Sequence, residues 1–263
     1  MLSRLSRPKA VAVCALPVVA LVATAVFAPL PFSVAQPGIT ANVLGENKGE
    51  PVITVSGAPT RTTTGQLRMT TIEATGPDTD VSLGDVVDGW FRRDRAVMPR
   101  DAVYPSGDSV KEIERHNAEQ MQQSQDAASR AAMKYLHLSE KDVKIRLRLA
   151  DVGGPSAGLL FSLGIIDKLE GDGGGGDLTG GRTIAGTGTI DTAGNVGAVG
   201  GVALKTQAAR RDGATVFLVP KAECADARAE LPKGLRLVPV TTLNGAINAL
   251  VALEKGTGPV PSC

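Results

Sequence analysis

The stretch DVGGPSAG, residues 151–158, places a hydroxyl directly before a run that is typical of a helix, LLFSLGIIDKL. At a helix N-terminus the hydroxyl of Ser156 would lie among free N–H groups and near the positive end of the helix dipole, which favour a developing oxyanion. Pro155 suits a first helical turn, where its missing N–H is not needed. The arrangement permits nucleophilic attack on a carbonyl. The structural alternative is a helix cap, in which Ser156 only satisfies one backbone N–H.

A serine nucleophile needs a base, and histidine is the most familiar one. Residues 154–158 match G-x-S-x-G, the nucleophile elbow of α/β-hydrolases, which place their histidine after the serine. The only two histidines, His116 and His137, both precede Ser156, so that chain order is excluded. An order with histidine first stays open formally, but the charged and polar neighbours of His116 are typical of a solvated helix face.

Lys205 is the other candidate base. On a helix its neighbours at i−3, i+3 and i+4 are Val202, Ala208 and Ala209, so the ammonium rises from an apolar face. Burial disfavours the charged form of lysine and lowers its pKa. A neutral amine prepared in this way can accept the proton of the Ser156 hydroxyl. The alternative for this helix alone is a lysine that extends past small residues to solvent.

Alternating strands and helices must position these two residues. The run VKIRLRL alternates apolar and basic residues, as a half-buried strand does. Such alternation predicts one α+β domain over residues 141–263. The predicted strands are 143–149, 182–191, 215–220 and 234–240, and the predicted helices are 159–170, 200–213 and 243–253.

A β-rich segment with one long helix, residues 37–140, precedes that domain. Strand-like runs at 51–55 and 66–74 are separated by turn-forming residues. A helix is predicted from Val110 to Leu136, with Ser109 and Glu112 as a capping box. The role of this segment is not readable from its residues.

Residues 1–36 are predicted to be a basic cytoplasmic flank and a transmembrane helix. Arg4, Arg7 and Lys9 precede an uncharged run, Ala10 to Ala35, that is long enough to cross a bilayer core. The basic flank belongs inside, which puts the rest of the chain outside the cytoplasm. The alternative is a signal peptide cleaved after Ala35, which would make the protein secreted.

The balance of 28 basic and 27 acidic residues, with 3% aromatic residues, gives no reason to expect nucleic-acid binding. Gly176–Thr183 resembles a phosphate-binding loop only partly, because Arg182 stands where the lysine is required. We therefore expect no nucleotide, and no metal or other cofactor. Cys224 and Cys263 are candidates for a disulfide in an oxidising compartment, with two unpaired thiols as the alternative. Cys14 lies in the predicted anchor.

Several segments together resemble the proteolytic domain of Lon-type Ser-Lys proteases. These are GGPSAG before an apolar helix, then GTGTID, GNVG and VGGVALK before an Ala-rich helix, all within about residues 143–225. The resemblance implies catalytic roles for Ser156 and Lys205 and a supporting role for Thr187, whose hydroxyl would orient the lysine amine. Gly153, Gly154 and Pro155 of the serine motif are also implied as supporting residues.

The chain departs from this family at two points. Many Lon domains carry an acidic residue three positions before the serine, where this chain has Gly153, and Asp151 is only a shifted substitute. The chain is most similar to membrane-anchored bacterial Lon-like proteins, which usually contain a PDZ domain. No PDZ-sized segment fits between Leu136 and Val143, which puts substrate recruitment in doubt.

The sequence and the resemblance together predict an α+β, Lon-like fold preceded by a transmembrane helix and a β-rich plus helical segment. The predicted activity is a membrane-anchored, extracytoplasmic, ATP-independent serine endopeptidase that uses a Ser-Lys dyad on protein or peptide substrates. The resemblance also implies a ring-like homo-oligomer. The alternatives are a non-catalytic Lon-like module that binds proteins or organises an assembly, and a protease that cleaves only itself.

Overall fold

A computed structural model describes residues 7–104, 109–149 and 152–263 of the chain. The chain divides into two compact units. The first comprises Met1–Ala35 and Ala74–Val110, and the second comprises Gln36–Glu73 and Lys111–Cys263. This division differs from the three segments predicted above, because strands from Gln36–Glu73 form one sheet with strands of the C-terminal part.

In its described residues, 7–35, 74–104 and 109–110, the first unit contains three helices and an antiparallel strand pair. The first four residues of strand β1 pair with strand β6, from Phe32↔Pro99 to Ala35↔Ala96. Helix α2 was not predicted, although Ser82 and Asp85 form a capping box at its start. The elements are α1 (Arg7–Phe27), β1 (Phe32–Asn42, which continues into the second unit), α2 (Leu83–Phe91), β6 (Ala96–Pro99) and α3 (Arg100–Val103).

The predicted transmembrane anchor is not supported. Across residues 7–104, 109–149 and 152–263, no helix combines the length and the apolar character that crossing a bilayer requires.

The second unit is built on a mostly parallel sheet with the strand order β12-β11-β8-β5-β1. Strand β11 pairs in parallel with both β12 and β8, and β8 pairs in parallel with β5. All five residues of β11 are buried, as expected for a strand covered on both faces. The strands are β5 (Gln66–Ala74), β8 (Thr183–Gly186), β11 (Val216–Pro220) and β12 (Arg236–Val240).

Helix α5 lies at the centre of the larger hydrophobic core. Every residue from Gly158 to Asp167 is buried, because the helix is apolar on all sides. The predicted helices at 110–136, 159–170, 200–213 and 243–253 are confirmed with small shifts of their ends. They are α4 (Val110–Tyr135), α5 (Gly158–Leu169), α6 (Val202–Arg211) and α8 (Leu243–Lys255), and a short helix α7 (Cys224–Ala229) follows a 3-10 turn at Lys221–Glu223.

In the part of the second unit that the structure describes, three two-stranded sheets accompany the larger sheet. One of them joins β4 and β7 in antiparallel register, from Ile53↔Leu147 to Ser56↔Lys144. It confirms the alternation in VKIRLRL, since Ile145 and Leu147 are half-buried while Lys144 and Arg146 are exposed. The strands are β2 (Glu46–Asn47), β3 (Glu50–Pro51), β4 (Ile53–Ser56), β7 (Lys144–Leu147), β9 (Thr189–Ile190) and β10 (Val196–Gly197).

Candidate active site

Ser156 lies in a turn that leads into helix α5. The helix begins at Gly158, so Pro155 and Ser156 precede it rather than form its first turn as predicted. The residue is half-buried. Gly154 has φ +85°, a conformation that favours glycine, and an added Cβ there would meet nothing within 4 Å. The backbone at Gly154, two residues before the serine, is therefore not covered by other residues at the position of the missing Cβ.

Hydrogen bonds from two neighbouring elements hold this turn. The Ser124 hydroxyl on α4 donates to the Pro155 carbonyl at 3.0 Å. The N–H of Gly188, between β8 and β9, donates to the Ser156 carbonyl at 3.0 Å. Gly153 packs tightly, because a Cβ there would lie 2.7 Å from Asn117 Cβ. The backbone of the serine is fixed by these contacts before any substrate binds.

Lys205 is buried on helix α6. The residue is only 4% exposed, so its side-chain amine has almost no contact with water. The helix begins after Gly201, which caps it in the left-handed conformation at φ +67°. Burial lowers the pKa of Lys205 to about 8, and the carboxylate of Glu223 acts in the opposite direction. About a tenth of the amine is therefore neutral at pH 7, far more than for a lysine with an ordinary pKa.

Thr187 connects the lysine to the serine. Lys205 Nζ donates to Thr187 Oγ1 at 3.2 Å, and Thr187 Oγ1 donates to the Ser156 carbonyl at 3.3 Å. Thr187 is fully buried directly after strand β8. The three residues implied by the family resemblance are thus brought together from three separate elements, and the threonine hydroxyl contacts the lysine amine as expected.

Glu223 is a member of this site that the sequence analysis missed. It is buried, and its carboxylate accepts a hydrogen bond from the Val199 N–H at 3.0 Å. Burial raises the pKa of Glu223, while the Val199 N–H and the Lys205 ammonium lower it. Its position three residues after the end of a fully apolar strand, VFLVP, was the available signal.

The structure does not join the two histidines to the serine. His116 is half-buried and its Nε2 lies 2.8 Å from Gln120 Nε2 on the same helix. His137 follows the end of α4 with φ +55°. Within the described ranges neither forms a hydrogen bond with Ser156. Asp151, the shifted acidic candidate, lies outside the described residues.

The fold and the site define a class of protein. The family model of the Lon protease (S16) C-terminal proteolytic domain matches residues 107–252, which is more than half of the chain. The chain therefore belongs to this family. The resemblance stated from the sequence is confirmed at this level.

Curated relatives of the chain are Lon proteases. Lon protease 1 of Myxococcus xanthus is 33% identical over 105 residues, which are 39% of this chain and 12% of that protein. An archaeal Lon protease of Methanocaldococcus jannaschii is 30% identical over 127 residues, 48% of this chain and 18% of the relative. The archaeal Lon protease of Halobacterium salinarum is 29% identical over 123 residues, which are 45% of this chain and 17% of that protein. The chain thus spans less than a fifth of these relatives' lengths.

Proposed function

We propose that this protein is an ATP-independent serine endopeptidase with Ser156 as nucleophile and Lys205 as general base. One observation carries the proposal: a buried lysine, with its pKa lowered to about 8, is linked through the Thr187 hydroxyl to the backbone of Ser156. A lysine with no catalytic task would be expected to reach solvent. Membership of the Lon proteolytic-domain family supports the same activity.

In the proposed reaction the Ser156 hydroxyl attacks the carbonyl carbon of a peptide bond while the neutral Lys205 amine takes its proton. The resulting ammonium returns that proton to the leaving amine as the peptide C–N bond breaks. Water then hydrolyses the acyl-enzyme with Lys205 again as base. Backbone N–H groups at the start of α5 would stabilise the oxyanion, and Thr187 would keep the amine oriented.

We further propose that the protein works in an oxidising compartment outside the cytoplasm. The support is the disulfide between Cys224 and Cys263, since such bonds persist mainly where thiols are not kept reduced. Labelling of thiols in intact cells and in lysates tests this. Both cysteines should resist alkylation until a reductant is added, and free thiols at both positions in freshly quenched cells would refute it.

The experiment that tests the activity is hydrolysis of a quenched, unfolded protein substrate by the full chain. Ser156→Ala and Lys205→Ala should each abolish cleavage with the fold retained, and Lys233→Ala, which removes an exposed lysine, should leave it intact. If the unmutated chain is folded but does not cleave the substrate, the result favours the alternative of a non-catalytic Lon-like binding module. Full activity in Lys205→Ala would refute the dyad.

A further inference from the structure

The two-stranded sheet of β4 and β7 has an unoccupied edge. Arg148 N–H donates to the Val52 carbonyl at 2.9 Å, and hydrogen-bonded pairs alternate along an antiparallel ladder. The N–H and C=O groups of Ile145 and Leu147 therefore point away from β4. Among the residues that the structure describes, this sheet has no third strand. The backbone of β7 is available for pairing with another chain.

A cleft of about 510 Å³ borders β7. Thr54 and Ser56 of β4 line it together with their cross-strand partners Arg146 and Lys144 of β7, and a single stripe of helix α4 forms the other wall. Its buried apolar side chains are Met133 and Val143. No residue of the candidate active site lines it. The helix residues share one face, since they recur at i, i+3, i+4 and i+7: Asp126, Ser129, Arg130 and Met133. An unpaired strand edge beside such a cleft is an arrangement that binds extended peptides by strand addition.

The charges in the cleft favour an acidic ligand. Lys144 and Arg146 are exposed on the outer face of β7 and, in the described part of the chain, neither forms an ion pair. Among the other charged groups that line the cleft, Arg130 and Glu140 offset each other, whereas Asp126 keeps its charge because its partner Gln122 is neutral, so the lining carries one net positive charge. Arg130 pairs with Glu140 at 3.7 Å, and the Asp126 carboxylate accepts from Gln122 Nε2 at 3.0 Å. Lys144 and Arg146, which lie two residues apart on the strand, can therefore pair with carboxylates of a ligand that have the same spacing.

We propose that this cleft binds an extended acidic segment of a partner protein, which adds to the edge of β7 as an antiparallel third strand. Side chains of the added strand that lie opposite Lys144 and Arg146 would be carboxylates on the outer face. The alternate side chains would be apolar and would lie towards Met133 and Val143. The proposal does not depend on the proteolytic activity.

Binding can be measured by fluorescence anisotropy with the full chain carrying Ser156→Ala, so that the probe is not cleaved. The probe is a labelled peptide of alternating glutamate and valine, about eight residues long, which suffices to span the four residues of β7. An alternating lysine–valine peptide is the control for charge. The Glu-Val peptide should bind and the Lys-Val peptide should not.

N-methylation of the probe tests strand pairing. In the proposed register the valines lie opposite Ile145 and Leu147, so their N–H groups donate to β7, whereas the glutamate N–H groups point outward. Methylation of the valine nitrogens should abolish binding, while methylation of the glutamate nitrogens should leave it nearly unchanged. On binding, hydrogen exchange of the Ile145 and Leu147 amides should slow.

Charge reversal tests the position of the site. Lys144→Glu with Arg146→Glu should weaken binding about tenfold or more. Lys134→Glu with Lys141→Glu makes the same change of charge on exposed residues outside the lining and should have little effect. The proposal is overturned if the Glu-Val peptide does not bind, if both variants bind it equally, or if valine N-methylation is tolerated.

Discussion

The ionisation of Lys205 sets the pH at which the proposed nucleophile is active. Its pKa is lowered to about 8, mainly by burial, so the amine is mostly protonated below that pH and mostly neutral above it. Only the neutral amine can accept the serine proton. We therefore expect kcat/KM to rise with pH and to reach half of its plateau near pH 8.

Glu223 should control where that midpoint falls. Its carboxylate raises the Lys205 pKa, so Glu223→Gln should move the rise of kcat/KM to lower pH. Asp142→Asn, which neutralises an exposed carboxylate just before β7, is the matched control and should leave the midpoint in place. A midpoint that stays where it is or moves upward in Glu223→Gln would show that this carboxylate does not act on the lysine.

Thr187 should act as a positioning residue through its hydroxyl. Thr187→Val keeps the shape but removes the group that joins Lys205 Nζ to the Ser156 carbonyl, so kcat should fall about tenfold to a hundredfold as the alignment is lost. KM should change little. Thr187→Ser restores the hydroxyl and should recover most of the activity. An equal loss of activity in both variants would point to packing rather than to the hydroxyl.

At the scale of elements, the start of helix α5 packs closely against its neighbours because Gly158 has no side chain. A Cβ there would lie 2.9 Å from Ile190 Cγ2 and 3.0 Å from Ser124 Oγ, and Ser124 holds the carbonyl of Pro155. Gly158→Ala should lower the free energy of unfolding by about 1–3 kcal/mol and displace the turn that carries Ser156.

The matched control for this change is Gly200→Ala, where an added Cβ would meet nothing within 4 Å and φ is ordinary. Urea unfolding and peptide hydrolysis can be followed on both variants. The Gly158 variant should lose stability and activity together, and the Gly200 variant should keep both. A Gly158→Ala chain as stable and as active as the parent would mean that the contact between α5 and β9 is looser than described.

The regular elements of the second unit were predictable because each carries a local pattern. The alternation in VKIRLRL gave β7, and the apolar period after Gly158 gave α5. The site was predictable only in part. Nothing local predicts that the Glu223 carboxylate acts on Lys205, since this influence depends on the tertiary arrangement of α6 and the turn after β11. Pro155 and Ser156 lie in a turn before α5 rather than in a first helical turn, and the sequence does not distinguish the two because proline fits both.

For the molecule as a whole, the disulfide between Cys224 and Cys263 fixes the C-terminal tail after α8. The bond closes a loop with a sequence separation of 39 residues, and both cysteines pack against the smaller hydrophobic core, with Phe217 and Leu237 among its buried residues. Without the bond, this loop would be free in the unfolded chain, and the tail would have only its packing to hold it.

We therefore expect the disulfide to stabilise the fold by about 4 kcal/mol through the loss of chain entropy in the unfolded state. Cys224→Ser with Cys263→Ser should lower the urea midpoint accordingly, and a reductant should lower that of the parent chain to the same value. The reductant should not affect the double variant, since Cys14 is the only other cysteine. A parent chain whose midpoint is unchanged by reduction would mean that native packing alone holds the tail, and the support for an oxidising compartment would fall with it.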